Sequence, residues 1–501
     1  RYQYLDRARQ ASKLTLPYLM PDEGFGSHSR LDTPFQGVGA RGTNNLASKL
    51  LLALLPPNAP FFRLNVDKYA LAAEGADASM LSEIEAGLQQ VEDSVMDEIS
   101  RETYRVAIHE ALKHLIVTGN ALVYMPDDGG MRVFHLDRYC VQRDAMGNIL
   151  YICTKESLSY MSLAEELKEL VGIQGNSADE EINLYTAVCR KDDHWFVYQD
   201  INGVRIPSSE GKYKLDKNPF IPLRFTRVDG EDYGRGYVEE YLGDLQSLES
   251  LTQAIVEGSA AAAKVLFLVN PNGTTRAKTL AESPNGAISQ GNAADVSVLQ
   301  LNKFNDFRVA QETINTIKDR LGHAFLLTSG VVRQAERVTA EEIRMLSIEL
   351  ESALGGLYSL LSTELQMPMV NRLLVVMKKK KSLPELPKNV VSPVIITGVE
   401  ALGRGNDLQK LDLFLAGASQ VVGAEAVAQF VNVSEYFKRR ATSLGIKTQE
   451  LIKSPEQMQQ EAQQAQQAAM MQAAIPNGVN AVSNQISKAQ DGANMNQPIS
   501  E

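Results

Sequence analysis

The chain has 501 residues, a length that accommodates roughly two to four domains with ample core. Its formal net charge of −11 and pI of about 5.3 exclude a general nucleic-acid binder that holds its ligand by a basic surface. Three cysteines, Cys140, Cys153 and Cys189, are far apart in the sequence and show no C-x-x-C spacing. This sparse, odd set indicates a reducing compartment and excludes a disulfide framework or a cysteine zinc cluster.

No stretch of the sequence approaches the about 18 apolar residues of a membrane span. The nearest, residues 260–269, is interrupted by Lys264 and closed by Pro271. We therefore expect no membrane partner. Because the sequence begins at Arg1 rather than Met, we also expect the native start to lie upstream.

Residues 1–60 predict a helix, a loop rich in Gly and Pro, and a second helix. The loop carries Gly37-x-Gly39-x-x-Gly42, a pattern that binds a dinucleotide pyrophosphate between a buried strand and a helix. The preceding LDTPFQ is poor in β-branched residues and broken by Pro34, so the sequence lacks the required strand. We interpret the glycines as a tight turn that opens an amphipathic helix.

Two further features would suit an enzyme. FFRLNVD (61–67) predicts a strand that ends in an acid, Asp67, near the place of a ribose ligand, but the first strand of that fold is missing. His109 and His114 lie on a predicted helix that closes at Gly119-Asn120. Their i, i+5 spacing places them about 140° apart, so the imidazoles cannot share a tetrahedral zinc ion.

A β region follows the predicted helices of residues 80–118. Residues 133–154 predict a hairpin around a turn near Gly147-Asn148. Residues 184–206 add strands around the Asn202-Gly203 turn signal, and residues 219–228 supply another strand.

Two long helices with matching apolar seams come next, over residues 237–264 and 307–327. Their apolar residues follow an a/d repeat, spaced three and four apart. The seam residues are Val238, Tyr241, Leu245, Leu248, Thr252 and Ile255 in the first helix and Phe307, Ala310, Ile314, Ile317, Leu321 and Ala324 in the second. Residues 265–301 between them mix strand and turn signals, so the pattern predicts a helical hairpin that carries a small insert at its tip.

Residues 328–338 are a polar loop, and Thr339-x-x-Glu342 is a capping box that starts a long helix with leucines on one face as far as Leu365. Pro368 is expected to kink or end this helix, and Lys378–Lys381 to complement a helix C-terminus. The remaining segments are extended (383–400), helical (406–453) and rich in Gln and Ala (457–474).

No catalytic constellation emerges from these patterns. The phosphate-binding G-x-x-x-x-G-K-[ST] and the nucleophile elbow G-x-S-x-G are both absent from the sequence, and the acidic residues lie mainly on helix faces at solvent-like spacing. We therefore expect no enzyme, no cofactor and no metal site. Long paired helices, a small insert and an acidic surface indicate an oligomeric structural protein.

Several long blocks resemble the head-to-tail connector, or portal, proteins of short-tailed bacteriophages of the podovirus type. The similarity runs from about residue 1 to about residue 455 and is weaker in residues 155–215 and in the Gln/Ala-rich tail. The blocks are TPFQGVGARGTNNLASKLLLALLPP (33–57), CVQRDAMGNIL (140–150), DGEDYGRGYVEEYLGDLQSLESL (229–251), ERVTAEEIRMLSIELESALGG (336–356) and GVEALGRGNDLQKL (398–411).

The resemblance implies a portal fold, mainly α with an α+β wing, assembled as a ring from a wing, a two-helix stem, a small α/β clip and a helical crown. We assign these regions by their order along the chain. They are the wing (1–236 and 339–400), the stem helices (237–264 and 306–327), the clip (265–305), a tunnel loop (328–338) and the crown with the C-terminal tail (401–501).

The resemblance also implies a role. A homododecamer would occupy the unique portal vertex of the virion, between head and tail, and form the channel through which double-stranded DNA is packaged and ejected without sequence specificity. Its further partners would be the major capsid protein, the scaffolding protein, the terminase packaging motor, the tail adaptor and the internal core proteins. Synthesis would take place in the cytoplasm of the bacterial host.

Six cations are candidate contact residues under this interpretation. Arg333 and Arg337 in the loop, and Lys318 and Arg320 on the second stem helix, would face the DNA, although Glu336, Asp319 or a neighbouring subunit could pair with them instead. Arg276 and Lys278 in the clip would dock the motor or the tail. Two alternatives remain open: a nucleotide- or metal-dependent enzyme supported only by the glycine pattern and the histidine pair, and a monomeric helical binding protein whose two seams pack only on each other.

Overall fold

The computed structural model describes residues 1–24, 30–57, 60–66, 78–159, 181–262, 266–299, 304–327, 356–383, 391–395 and 412–421, together with single residues and short runs within 161–168, 345–354 and 423–436. The chain divides into two units, Arg1–Leu402 and Gly403–Glu501. In the second unit a helix spans residues 412–421, and the Tyr436 hydroxyl donates to Asp412 Oδ1 over 2.6 Å.

Within the described part of the first unit, helices form most of the frame. They are α1 (Tyr2–Lys13), α2 (Val38–Leu54), α3 (Ala78–Arg101), α4 (Tyr104–Thr118), α5 (Tyr237–Glu240), α6 (Leu242–Ala262), α7 (Ala277–Glu282), α8 (Phe304–Ala324), α9 (Leu357–Leu361) and α10 (Met367–Lys379). The paired helices predicted for 80–118 are α3 and α4. Gly119 ends α4 with φ +76°, as predicted, and a Cβ there would lie 2.4 Å from the Arg235 carbonyl carbon.

Twelve strands in the described residues form four antiparallel sheets: β1–β12, β10–β11, β3–β2–β9 and β4–β5–β6–β7–β8. Their bounds are β1 (Phe62–Val66), β2 (Asn120–Tyr124), β3 (Arg132–Phe134), β4 (Tyr139–Arg143), β5 (Ile149–Ser159), β6 (Glu181–Lys191), β7 (His194–Ile201), β8 (Val204–Lys214), β9 (Phe220–Arg224), β10 (Leu266–Val269), β11 (Val296–Leu299) and β12 (Val391–Ile395).

The predicted β turns lie where the backbone requires positive φ. Gly147 has φ +85° between β4 and β5, and Asn202 and Gly203 have φ +52° and +81° between β7 and β8. The hairpin predicted for 133–154 begins only at Tyr139, because Val133 and Phe134 pair with β2 in another sheet. The strand predicted at 61–67 is β1, and its partner is β12, from the predicted extended segment 383–400.

The main core lies where α2 and α4 pack against each other and against the helical hairpin. Leu46, Leu50, Ile108 and Leu115 are buried at its centre. A second core fills the space between α1, the β3–β2–β9 sheet and one face of the five-stranded sheet, around Trp195. The five-stranded sheet presents alternate residues of one face to this core.

The helix expected to kink or end at Pro368 does not end there. After α9, residues Ser362–Gln366 form a π-helical turn, and α10 continues through Pro368 to Lys379. The turn places Glu364 against the buried Arg224, whose Nε donates to Glu364 Oε1 over 3.0 Å. At the other end of α10, Lys380 Nζ lies 3.0 Å from Glu98 Oε1, so the lysine run forms ion pairs as well as following a helix C-terminus.

Candidate functional site

The helical hairpin predicted from the seams is present. Helix α8 runs antiparallel to α6, because Gly258 faces Phe307 at one end while Asp244 faces Arg320 at the other. Half of the seam residues are buried and the other half are half-buried; the buried ones are Val238, Leu245, Leu248, Ile314, Ile317 and Leu321. The first helix is broken at Tyr241, which separates the short α5 from α6.

The base of the hairpin is locked into the main core by Phe325. Its ring is fully buried and meets the Tyr237 ring edge-on, with centroids 5.6 Å apart. The Tyr237 hydroxyl donates to Ala324 O over 2.8 Å, which ties α5 to the end of α8. A Cβ on Gly42 would lie 2.6 Å from Phe325 Cγ, so α2 approaches the ring to a distance that only glycine permits.

The end of α8 is capped by two side chains of α2. Asn45 Nδ2 donates to the carbonyls of Phe325 and Leu326, each over 3.0 Å, and Lys49 Nζ donates to Leu326 O over 3.1 Å. Lys49 also lies 3.7 Å from Glu349 Oε2. Burial lowers the pKa of Lys49, and Glu349 opposes that shift. Leu326 has φ +54°, so this helix end adopts the left-handed conformation without a glycine.

The start of the hairpin is tied to the loop before α2. The Glu249 carboxylate accepts the backbone amides of Phe35 over 2.8 Å and Gln36 over 3.2 Å. Asp244 pairs with Arg320, and Glu239 pairs with Arg235 over 2.8 Å. These acids therefore hold partners within the chain, in contrast to the solvent-like faces that their spacing predicts.

The outer end of the hairpin and its insert are exposed. Val256 and Val309 are 49% and 62% exposed on α6 and α8. In the insert, β10 pairs with β11, and none of the side chains whose exposure is described between residues 267 and 297 is buried. Phe267 and Leu268, adjacent on β10 and thus on opposite faces, are 62% and 52% exposed. The side chains described in the insert therefore form no core of their own.

Asp295 holds the insert together from within. Its Oδ2 accepts the backbone amides of Thr274 over 2.8 Å and Thr275 over 3.1 Å, and both threonine hydroxyls over 3.2 Å. These donors lower the pKa of Asp295, the Thr275 amide most. A Cβ on Gly273 would lie 2.3 Å from Asp295 Cγ, so the turn requires glycine.

The candidate cations have different positions. Arg320, 60% exposed, lies 2.5 Å from Asp244 Oδ1, a different partner from the predicted Glu336, Asp319 or neighbouring subunit. Lys318 is exposed on the same helix. Arg276 and Lys278 are exposed at the start of α7 in the insert. Arg333 and Arg337, with the rest of 328–344, lie outside the described residues. Their contacts with DNA or partner proteins stay predictions.

The glycine pattern has a different role from the predicted turn. Gly37 has φ −101°, and Gly39 and Gly42 lie inside α2, so none of the three needs positive φ. A Cβ on Gly39 would lie 2.4 Å from Leu14 O. Gly39 and Gly42 therefore allow close packing of α2, while nothing lies within 4 Å of the Cβ position of Gly37.

The histidine pair is divided between two environments. His109 Nε2 lies 3.3 Å from Ser48 Oγ, while His114 is buried and stacks on His135 with centroids 6.2 Å apart. Burial lowers the pKa of His114 to about 3. In the part of the chain that the structure describes, no group of three or more His, Cys, Asp or Glu residues is placed to hold a metal ion.

The described residues also include no helix that is long and apolar enough to cross a membrane.

Comparison with known proteins defines the class. The family model of bacteriophage head-to-tail connecting proteins matches residues 1–452. The chain therefore belongs to the head-to-tail connecting protein family of bacteriophages, and the resemblance found in the sequence is confirmed.

The relatives in this family are portal proteins. The chain is 42% identical to the portal protein of Escherichia phage T7 over 477 residues, which cover 93% of this chain and 89% of that protein. It is 41% identical to the portal protein of Enterobacteria phage T3 over 95% of this chain and 89% of that protein. For the portal protein of Enterobacteria phage SP6, the identity is 34%, over 95% of this chain and 92% of that protein.

Solved structures give a weaker likeness. A chain of the virion of a native gene transfer agent particle matches with a TM-score of 0.36 and 11% identity, over 82% of this chain and 90% of that chain. A chain of the neck of such a particle, computed with C12 symmetry, matches with a TM-score of 0.35 and 10% identity, over the same shares. These TM-scores are too low to establish a shared fold.

Proposed function

We propose that the chain acts as a portal: a homododecameric ring at the unique vertex of the virion, which serves as the channel for packaging and ejecting double-stranded DNA. Family membership supports this role. The structural observation that carries it is the helical hairpin, rooted in the core at Phe325 and exposed at its outer end, with an insert that has no buried side chain between 267 and 297. Neighbouring copies of the chain would cover these exposed side chains of the hairpin and insert.

The proposed regions keep the bounds drawn from the sequence: wing (1–236 and 339–400), stem (237–264 and 306–327), clip (265–305), tunnel loop (328–338) and crown with tail (401–501). The hairpin and insert supply the stem and clip. Capsid and scaffolding proteins would contact the ring from the head, the terminase motor and then the tail adaptor would dock on the clip, and internal core proteins would meet the crown.

The size of a twelve-helix ring suits duplex DNA. Twelve helices at a spacing of about 10 Å form a circle about 38 Å across with a bore of about 28 Å, wider than a duplex of about 20 Å. A conduit has to guide DNA without gripping it, because every phosphate contact adds affinity. A net charge of −11 with few cations at the bore suits sliding.

Loop 328–338 would act as a constriction that touches DNA through Arg333 and Arg337 and helps to retain it. Replacing both with Ala should change packaging or genome retention while ring assembly stays intact. Arg227→Ala serves as a control, because its guanidinium donates to Met146 O in the turn between β4 and β5 and the substitution removes a cation outside the loop. Normal yields of full, stable heads from the double variant would refute the loop's role.

Arg276 and Lys278 would help the clip to dock the motor and the tail. Exchange of both for Ala should weaken motor and tail binding in rings that still form. If a ring with residues 265–305 replaced by an unrelated segment binds both normally, the clip assignment is wrong.

A further inference from the structure

One face of the five-stranded sheet brings together cysteines that are separate in the sequence. Tyr139, Val141, Ile152 and Val188 point into the core, so alternation places Cys140, Cys153 and Cys189 on the opposite face. All three thiols are free and half-buried. The sequence had suggested only a sparse set without a shared site.

Cys140 and Cys153 lie directly opposite each other in the β4–β5 ladder. The amide of Val141 donates outward to the Tyr233 hydroxyl over 3.2 Å, and the amide of Arg143 donates outward to Asp232 Oδ1 over 2.7 Å. Because backbone amides alternate in direction along a strand, the amide of the preceding residue, Cys140, faces β5 in a hydrogen-bonded pair with Cys153. The Cα atoms of such pairs lie about 5.5 Å apart, within the Cα range of a disulfide. Their Cβ atoms lie about 4.5–5.5 Å apart, so formation of the S–S bond has to draw β4 and β5 together to a Cβ separation of about 3.5–4.5 Å.

Cys189 lies farther from this pair. It faces Tyr151, while Cys153 faces Ala187, so Cys189 is diagonal to Cys153. Diagonal neighbours on adjacent strands are about 7–8 Å apart, outside the usual disulfide range. The sheet thus provides one matched pair and one unmatched thiol on the same face.

The surroundings of the pair favour a thiolate on Cys140. The neighbouring Cys153 thiol lowers the pKa of Cys140, and the Arg1 guanidinium adds to the effect. The neighbouring Cys140 and burial raise the pKa of Cys153, and burial raises that of Cys189. The thiolate is the nucleophile in thiol–disulfide exchange.

We propose that Cys140 and Cys153 form a dithiol site that reacts with low-molecular-weight disulfides and closes to an intramolecular disulfide. The Cys140 thiolate attacks one sulfur of the reagent disulfide, forms a mixed disulfide and releases one reagent thiolate. The Cys153 thiol loses its proton to solvent and attacks Cys140 Sγ, releasing the second reagent thiolate. The two cysteines are oxidised, and one reagent disulfide is reduced to two thiols.

The disulfide would staple β4, the edge strand, to β5. The outer side of β4 already carries Tyr233 and Asp232, which precede the start of the hairpin at Tyr237. Oxidation would therefore stiffen the sheet beside the base of the hairpin. In the virion, a context that rests on the proposed function, the site would stay reduced in the host cytoplasm and oxidise after release.

The test uses the full chain incubated with oxidised glutathione at neutral pH, followed by intact mass and alkylation of the remaining thiols. We expect the mass to fall by two hydrogen atoms, one thiol to remain alkylatable at Cys189, and peptide mapping to link Cys140 with Cys153. Cys153→Ser should stop at a glutathione adduct on Cys140, and Cys140→Ser should give no linkage. The matched control Cys189→Ser should lose the same two hydrogen atoms, link Cys140 with Cys153 and keep no alkylatable thiol.

Three alkylatable thiols after oxidation would overturn the proposal, as would a linkage through Cys189 or between subunits. None of these results depends on ring formation, so the proposal fails or stands separately from the portal role. Circular dichroism of each variant shows whether it folds. The oxidation of the unsubstituted chain tests the proposal even if a variant does not fold.

Discussion

Arg320 Nη2 lies 2.5 Å from Asp244 Oδ1, which joins the second helix of the hairpin to the first near its base. Arg320 remains 60% exposed, so the pair leaves much of the guanidinium in solvent. An exposed ion pair of this kind contributes up to about 1 kcal/mol to the free energy of unfolding. Its removal should leave the hairpin folded.

That small contribution lets a pair of variants separate DNA contact from structure. Both Arg320→Ala and Asp244→Ala break the ion pair, but only Arg320→Ala removes a cation. We expect Arg320→Ala to alter the amount of DNA retained in heads, and Asp244→Ala to leave retention at the level of the unmodified protein. Equal effects of the two variants would assign Arg320 to hairpin stability alone.

A second prediction concerns Gly42. A Cβ there would lie 2.6 Å from Phe325 Cγ, so Gly42→Ala should lower the free energy of unfolding by about 1–3 kcal/mol. Phe325→Leu in the same chain should recover part of the loss. Gly87→Ala is the control, because Gly87 also lies in a helix and nothing lies within 4 Å of its Cβ position.

Gly87→Ala should be neutral or stabilise the protein by up to about 1 kcal/mol, because alanine is the better helix former. Chemical denaturation measures all three variants. Equal changes in the free energy of unfolding at Gly42 and Gly87 would mean that the Phe325 ring moves away from the new methyl group.

A thermal shift of the protein on addition of a dinucleotide would support the enzyme alternative.

A third prediction concerns the pH dependence of stability through Glu92. Burial raises the pKa of this carboxyl from its ordinary value near 4.5 to about 7, although its Oε1 accepts the Leu64 amide over 2.6 Å. A raised carboxyl pKa favours the protonated folded form. Its ionisation therefore costs stability as the pH rises from about 4.5 to about 7, by about 3 kcal/mol in all.

Glu92→Gln keeps an oxygen for the Leu64 amide and removes the charge. The variant should unfold at a higher temperature than the unmodified protein at pH 8, and this advantage should shrink towards pH 5. An advantage that is equal at both pH values would contradict the assigned pKa.

A fourth prediction concerns acid and His114. Its folded pKa of about 3 lies below the ordinary value of 6.5, because burial disfavours the cation. The unfolded chain therefore binds the proton first, and stability is lost as the pH falls from about 6.5 towards 3. The loss is about 1.4 kcal/mol for each pH unit.

His114→Gln should flatten the pH dependence of the unfolding free energy by about that slope between pH 6 and 4. His194→Gln is the control, because His194 is exposed on β7. An unchanged slope in His114→Gln would mean that His114 is not the group that titrates.

The hairpin was predictable from the sequence because its seam residues repeat at the period of a helix, and buried Leu245 and Leu321 fall on that seam. The turns were predictable because Asn202-Gly203 demands a conformation that few residues adopt. The pairing of β1 with β12 was not predictable from the sequence, because a short apolar run does not specify which strand, more than 300 residues away, will pair with it.

Individual polar contacts between distant residues also could not be predicted from the sequence. Nothing in its spacing marks Glu249 as the acceptor of the Phe35 and Gln36 amides, or Lys49 as the donor to Leu326 O. The pairing of Cys140 with Cys153 did have a signal, because the predicted turn near Gly147-Asn148 lies almost midway between them. The hairpin face that points away from the core carries no hydrophobic periodicity, so the sequence pattern alone does not indicate such a pair.

The central claim is that copies of this chain form a ring around a DNA channel. Electron microscopy of single particles of the purified protein, classified without imposed symmetry, tests it most directly. The account predicts closed rings with a bore of about 28 Å, lined by the hairpin helices, and the class averages will give the subunit number. Compact monomers or dimers at micromolar concentration would contradict it and would favour a helical binding protein whose two seams pack only on each other.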